Sequence, residues 1–188
     1  MDPRPRRRPS TIAALLVFAC ATLASAQVEA PEAVAKRAAE ATARADWKAF
    51  AELMHPAALT DFRRMFREIV ALDGFEELRK SFFGVETVAE FDALTDSGTF
   101  EALMKGLAAN VPGVAEALGS MSMEVVGVLP EGEELAHVVY RTGASIENLT
   151  MSKTAVMTLR RHDGQWRMLL NGAIEGLAQR LAMVAGAE

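Results

Sequence analysis

The chain has 188 residues and a net charge of −5, with 51% hydrophobic and 24% charged residues. The acidic balance argues against a nucleic-acid partner and against adsorption to anionic lipid, since both rely on excess Lys and Arg. The apolar fraction is that of a globular chain with enough mass for a core, not of a disordered one.

The first 26 residues have the three-part layout of a secretory signal peptide. Arg4, Arg6, Arg7 and Arg8 form a basic front end, Thr11 to Leu23 is uncharged and mostly apolar, and Ala24-Ser25-Ala26 is a small-x-small cleavage site ahead of Gln27. The apolar run is too short for a membrane span, which needs about 20 residues. The expectation is export to the periplasm or beyond, with a mature chain from Gln27 and no integral span after cleavage. Val17-Phe18-Ala19-Cys20 has the outline of a lipobox, but Phe18 replaces the usual small residue and the Ala24-Ser25-Ala26 site competes. Arg7-Arg8 hints at a twin-arginine signal, which Pro9-Ser10-Thr11 does not continue. Loss of the leader removes four Arg and Asp2, leaving 16 basic and 24 acidic residues, a net charge of −8. It also removes Cys20, the only cysteine, so the mature chain has no disulfide, thiolate nucleophile or Cys-ligated metal.

Residues 27–188 read as a single domain. Pro31 and Glu32 suit the first turn of an Ala-rich helix running to about Ala45. Asp46 is an N-cap for a short helix, Trp47 to Met54, whose Trp47, Phe50, Ala51 and Met54 share one face. His55-Pro56 ends it and begins a third helix with an apolar stripe of Leu59, Phe62, Phe66, Ile69 and Val70, closed by Asp73-Gly74. Residues 75–118 predict short helices near Phe75–Phe82, Val88–Leu94, Phe100–Ala109 and Pro112–Leu118. Gly84, Asp96-Ser97-Gly98 and Asn110 punctuate them.

The period then changes to two. Met121, Met123 and Val125 alternate with Ser122, Glu124 and Val126, Pro130 to Glu133 reads as a turn, and Ala136, Val138 and Tyr140 form a second alternating run. Gly143 to Asn148 reads as a loop. Leu149, Met151, Ala155, Met157 and Leu159 share one face, interrupted by Lys153. His162-Asp163-Gly164 is a hairpin turn before Trp166, Met168 and Leu170. A last helix is expected over about Ala173 to Val184, with Ile174, Leu177, Leu181 and Val184 as its stripe. The fold class is therefore α+β: N-terminal helices packed on a four-stranded antiparallel meander, and a C-terminal helix.

The stretch Ala45-Asp46-Trp47-x-x-Phe50-Ala51-x-Leu53-x-His55-Pro56 resembles the helix junction of the NTF2-like superfamily. The closing Leu159-Arg160-Arg161-x-Asp163-Gly164-x-Trp166-Arg167 resembles that superfamily's final hairpin. Together they cover about a fifth of the mature chain, and they specify packing and turns, not chemistry. The resemblance implies a curved sheet wrapped around helices, enclosing an apolar cavity. Members include isomerases, dehydratases, small cyclases and non-catalytic binding or dimerising modules, and fold alone does not choose among them. The chain departs from the pattern in its long helical insert, about 75–118, and in the helix after the last strand.

Two residues are candidates for catalysis. His55 could serve as a general base near neutral pH, or could merely satisfy backbone groups at the helix break. Tyr140, the only tyrosine, could donate to a ligand oxygen, or could be a core tyrosine with its hydroxyl at the rim. Asp92, Glu147 and Asp163 are carboxylates that could act as bases, with Asp163 better read as a turn former. Trp47, Met151, Lys153, Met157 and Trp166 are candidates for lining an apolar ligand site. Met adapts to loosely specific apolar ligands, and a buried Lys could bind an acid. No cofactor is implied. His55, His137 and His162 have no metal-ligand spacing, so no metal site is expected. Gly143-Ala144-Ser145-Ile146-Glu147 misses the second Gly of a nucleophile elbow. The functional expectation is an exported non-catalytic module binding a small apolar ligand or an envelope protein. The alternative is an isomerase or dehydratase using His55 or a carboxylate for proton transfer, and a third reading is a homodimer built on the helices or the outer sheet face.

Overall fold

The computed structural model describes residues 29–146 and 149–172, with Ile174 and Gly176. The expected leader lies outside the described residues, as do Glu147, Asn148 and most of the expected C-terminal helix. Gly172, Ile174 and Gly176 have helical backbone.

Seven α-helices precede one sheet among the described residues. Helix α1 spans Pro31–Ala43, with Pro31 in its first turn and a buried face of Val34, Ala35, Ala38, Ala41 and Thr42. These small side chains let α1 lie close against the sheet. Helix α2, Trp47–Glu52, is capped by Asp46, whose carboxylate accepts from the Ala49 N–H at 3.0 Å. Helix α3, Pro56–Val70, buries Ala58, Leu59, Phe62, Phe66, Ile69 and Val70 along one stripe.

The insert is helical as its sequence predicts. Helix α4, Glu76–Leu78, runs straight into a π-helical turn, Arg79–Phe83. Helices α5, Val88–Ala93, α6, Asp96–Asn110, and α7, Val114–Gly119, follow. Helix α6 begins four residues before the expected Phe100. The cause is Thr95, whose hydroxyl accepts from the Gly98 N–H at 2.9 Å, so that Asp96-Ser97-Gly98 forms a capped first turn instead of a break.

The sheet is an antiparallel meander in the order β1-β2-β3-β4. Its strands are β1, Ser122–Glu131; β2, Leu135–Ile146; β3, Leu149–His162; and β4, Gln165–Met168. The α+β architecture read from the sequence is the one observed. Two turn assignments change. Pro130 lies inside β1, opposite Ala136; β1 is an edge strand, where a missing N–H costs no ladder bond. The turn that follows begins at Gly132, with φ +67°. Gly143 to Ile146 also extends β2 instead of starting a loop. Past the end of β1 the Ser120 hydroxyl takes over as partner, accepting from the Ser145 N–H at 2.8 Å and donating to its carbonyl at 2.9 Å. The expected turn at Asp163-Gly164 is present, with φ +49° and +74°, the left-handed pair of a two-residue hairpin.

Helices cover one face of the sheet. Ala136, Val138, Leu159, Trp166 and Met168 point into it and are buried. A β-bulge at Val126 breaks the β1–β2 register, which bends and twists the edge strand. The insert completes the core. Phe83, Phe91 and Phe100 are buried with Phe62 and Phe66 of α3 in a chain of edge and tilted ring contacts, 4.7 to 5.7 Å between centroids. Among the described residues no helix is long and apolar enough to cross a membrane.

Candidate functional site

Strand register places the candidate residues. Pairing of Tyr140 with Ala155, and of Thr142 with Lys153, sets Tyr140 and Lys153 as diagonal neighbours on the helix-covered face. Tyr140 is half-buried, and burial pushes its phenol above its ordinary value of 10.0. It stays a neutral hydrogen-bond donor at physiological pH. Lys153 is exposed, and Met151 is 48% exposed. Strand β3, with 14 residues, outruns the helical layer, so its early residues project past the core.

His55 lies elsewhere. The junction between α2 and α3 hydrogen-bonds to β4: the His55 N–H donates to the Met168 carbonyl and the Met168 N–H to the Leu53 carbonyl, both at 2.8 Å. This sets the His55 ring 5.0 Å from that of His162. His162 is seven residues along β3 from Ala155, on the order of 23 Å at the usual strand rise. His55 and Tyr140 therefore do not converge on one substrate.

The chemistry at His55 is that of a cap. Its Nδ1 accepts from the Ala57 N–H at 3.1 Å, which places the proton of the neutral ring on Nε2. Burial, then the His162 ring and the Arg160 and Arg167 charges, hold its pKa below the ordinary 6.5. The unfolded chain thus takes up this proton first. The stabilisation is complete above the unfolded value and is lost as pH falls through it toward the folded one. The urea midpoint should drop between about pH 7.5 and 5.5, and drop less in His55→Asn, which keeps a capping side chain. Equal pH dependence in both proteins would overturn this assignment.

A concave feature lies at the end of the sheet where β3 and β4 meet the β1–β2 turn. The groove has a volume of about 730 Å³. Its apolar walls are Pro31, Val128, Pro130, Ala136 and Trp166, and its charged groups are Glu32, Glu133, Glu134 and Arg161. Arg161 and Trp166 face each other across the β3–β4 ladder, and the guanidinium carbon stands 4.6 Å over the indole. The Arg161 N–H donates to the Glu134 carbonyl at 3.0 Å, tying the turn to β3. The Arg161 Nε is buried and has no hydrogen-bond partner.

Of the five residues expected to line a ligand site, this groove contains Trp166. Trp47 is instead buried among helices, edge-on to Phe50, which stacks on Phe100 at 5.4 Å. Met157 packs half-buried against the core. Met151 and Lys153 sit ten and eight residues along β3 from Arg161. Asp92 is ion-paired with Arg67, and Asp163 forms the hairpin turn. None of the groove's lining comes from the 75–118 insert, which packs into the core. Sequence reasoning missed Arg161, although the signal was present: continuing the alternation of Met157 and Leu159 by one more step puts Arg161 on the same face. Among the described residues no group of three or more His, Cys, Asp or Glu is gathered to hold a metal.

The fold and groove define an α+β domain with helices on one side of an antiparallel meander and an open pocket at one end of the sheet. No protein-family model matches the chain, and no curated protein matches it. Among solved structures it is similar to an NTF-2-like protein of unknown function from Shewanella oneidensis MR-1. That similarity runs at 13% identity and a TM-score of 0.41 over 73% of this chain and 89% of the other.

Proposed function

We propose that the protein is an exported, non-catalytic module that holds a small, largely apolar ligand in the groove between the start of α1 and the sheet. The observation that carries this reading is the groove itself, where the apolar side chains of Pro31, Val128, Pro130 and Trp166 adjoin four charged ones. The separation of His55 from Tyr140 supports binding over proton-transfer catalysis, which needs both groups within reach of one substrate. The engagement of His55 Nδ1 as a helix cap supports the same conclusion.

The test uses the uncharged fluorescent probe N-phenyl-1-naphthylamine. The protein should bind it saturably at one site. Val128→Trp, which places a large ring in the groove from a half-buried strand position, should weaken binding at least tenfold while leaving the circular dichroism spectrum unchanged. Non-saturable binding, or full binding by a folded Val128→Trp variant, would sink the proposal.

A further inference from the structure

The charges in the groove narrow the ligand, on the reading that the groove is the binding site. The Arg161 guanidinium carbon stands 4.6 Å over the Trp166 ring, and both residues line the groove. The buried Arg161 Nε has no partner. Nε itself is shut off from the groove, so an anionic group would pair with the outer guanidinium nitrogens, which make no ion pair among the described residues. A guanidinium matches a carboxylate in shape and charge.

A simple anion does not fit the rest of the site. Glu32, Glu133 and Glu134 line the same groove. Glu133 and Glu134 are exposed on the β1–β2 turn, and Glu32 sits in the first turn of α1. Against one Arg this makes the groove net negative, which repels a ligand bearing only negative charge. Among the described residues none of the three carboxylates is ion-paired, with Arg161 or any other cation. The groove therefore brings together one cation, three carboxylates without an ion pair among the described residues, and apolar side chains.

We infer that the ligand is a small zwitterion with an apolar body, of the kind formed by a short apolar peptide with free termini. Its carboxylate engages Arg161, its ammonium faces Glu32, Glu133 and Glu134, and its side chains lie on Val128, Pro130 and the edge of Trp166. A volume of about 730 Å³ accommodates two or three residues. Capture of both peptide termini supplies selectivity that apolar walls alone do not.

The probes are leucyl-phenylalanine with both termini free, its C-terminal amide, and its N-acetyl form, titrated by calorimetry into the full chain after export. The free dipeptide should bind at least tenfold more tightly than either blocked form. Arg161→Gln should bring the free dipeptide down to the level of the amide. The Glu133→Gln, Glu134→Gln double variant should bring it toward the N-acetyl form. Thermal unfolding of each variant checks that it is folded.

If the N-acetyl form binds as tightly as the free dipeptide, or if the double Gln variant binds it more tightly, the glutamates do not read an amine and the inference fails. If N-phenyl-1-naphthylamine binds saturably and none of the peptides bind, the zwitterion is overturned and the groove stands. If neither probe class binds, the groove itself is wrong.

Discussion

Phe62→Ala should lower the free energy of unfolding by about 3–5 kcal/mol, the range for deleting a fully buried aromatic ring. For a domain of this size that corresponds to a fall in Tm of roughly 6–20 °C. Phe62 is completely buried in the middle of α3 and touches two other rings, Phe66 at 4.7 Å and Phe100 at 5.4 Å. The second contact is with the insert, so the substitution both opens a cavity and loosens α6 from α3. Neighbouring rings are themselves held in edge contacts and cannot collapse into the space without breaking those. Urea unfolding would measure the effect, with Val156→Ala as a control on an exposed strand position, where a change within about 0.5 kcal/mol is expected. A loss under about 1 kcal/mol in Phe62→Ala would mean that the ring cluster is not the centre of the core.

The insert shows what could be read from the sequence alone. Its aromatic residues were too many for a linker, and four helices could be placed from apolar spacing. What spacing does not show is which residues cap. Asp96-Ser97-Gly98 has the composition of a break, and only the Thr95 hydroxyl, which is satisfied within the chain's own first turn, makes it a helix start. Strand ends behaved alike. Pro130 and Gly143 are turn residues by composition, yet each sits in a strand, Pro130 because its strand is at an edge and Gly143 because it is opposite Ser152 in a long hairpin. Local composition competes with pairing partners that are distant in sequence, and pairing wins.

The site was less legible for the same reason. Alternation assigned Tyr140 to one face of its strand and Lys153, Met151 and Met157 to one face of theirs, and the register makes these the same face of the sheet. A face of a 14-residue strand is on the order of 45 Å long, however, and cannot be one site. Which stretch becomes concave depends on where α1 begins and where the β1–β2 turn folds over, and neither is written into β3. Likewise His55 and His162 are 107 positions apart in sequence and 5.0 Å apart in space. They meet because the α2–α3 junction borrows the free edge of β4, a contact that no local pattern announces.

Gly106→Ala should be destabilising by about 2 kcal/mol or more, against the ordinary direction for this change. In the interior of a helix, Gly→Ala gains about 1 kcal/mol in propensity, and α6 is a 15-residue helix with Gly106 well inside it. The opposing term is contact. A Cβ at Gly106 would lie 2.4 Å from the Cα and carbonyl oxygen of Phe82 and 2.7 Å from its carbonyl carbon, where about 3.5–4.0 Å is comfortable. These are backbone atoms of the π-helical turn, so no rotamer change relieves them. Helix α6 and the turn would have to separate, weakening the bond at 2.6 Å from the Asn110 side chain to the Ser81 carbonyl. Overpacking of this kind costs about 3 kcal/mol at the upper end of its usual range, which exceeds the propensity gain. Gly119→Ala, at the end of α7 with nothing within 4 Å of its added Cβ, should be neutral or stabilising. Adding Phe82→Ala to Gly106→Ala should not rescue stability, because the obstruction is main chain. Recovery in that double variant, measured by urea unfolding, would place the clash on the Phe82 ring and contradict the close approach of α6 to the turn.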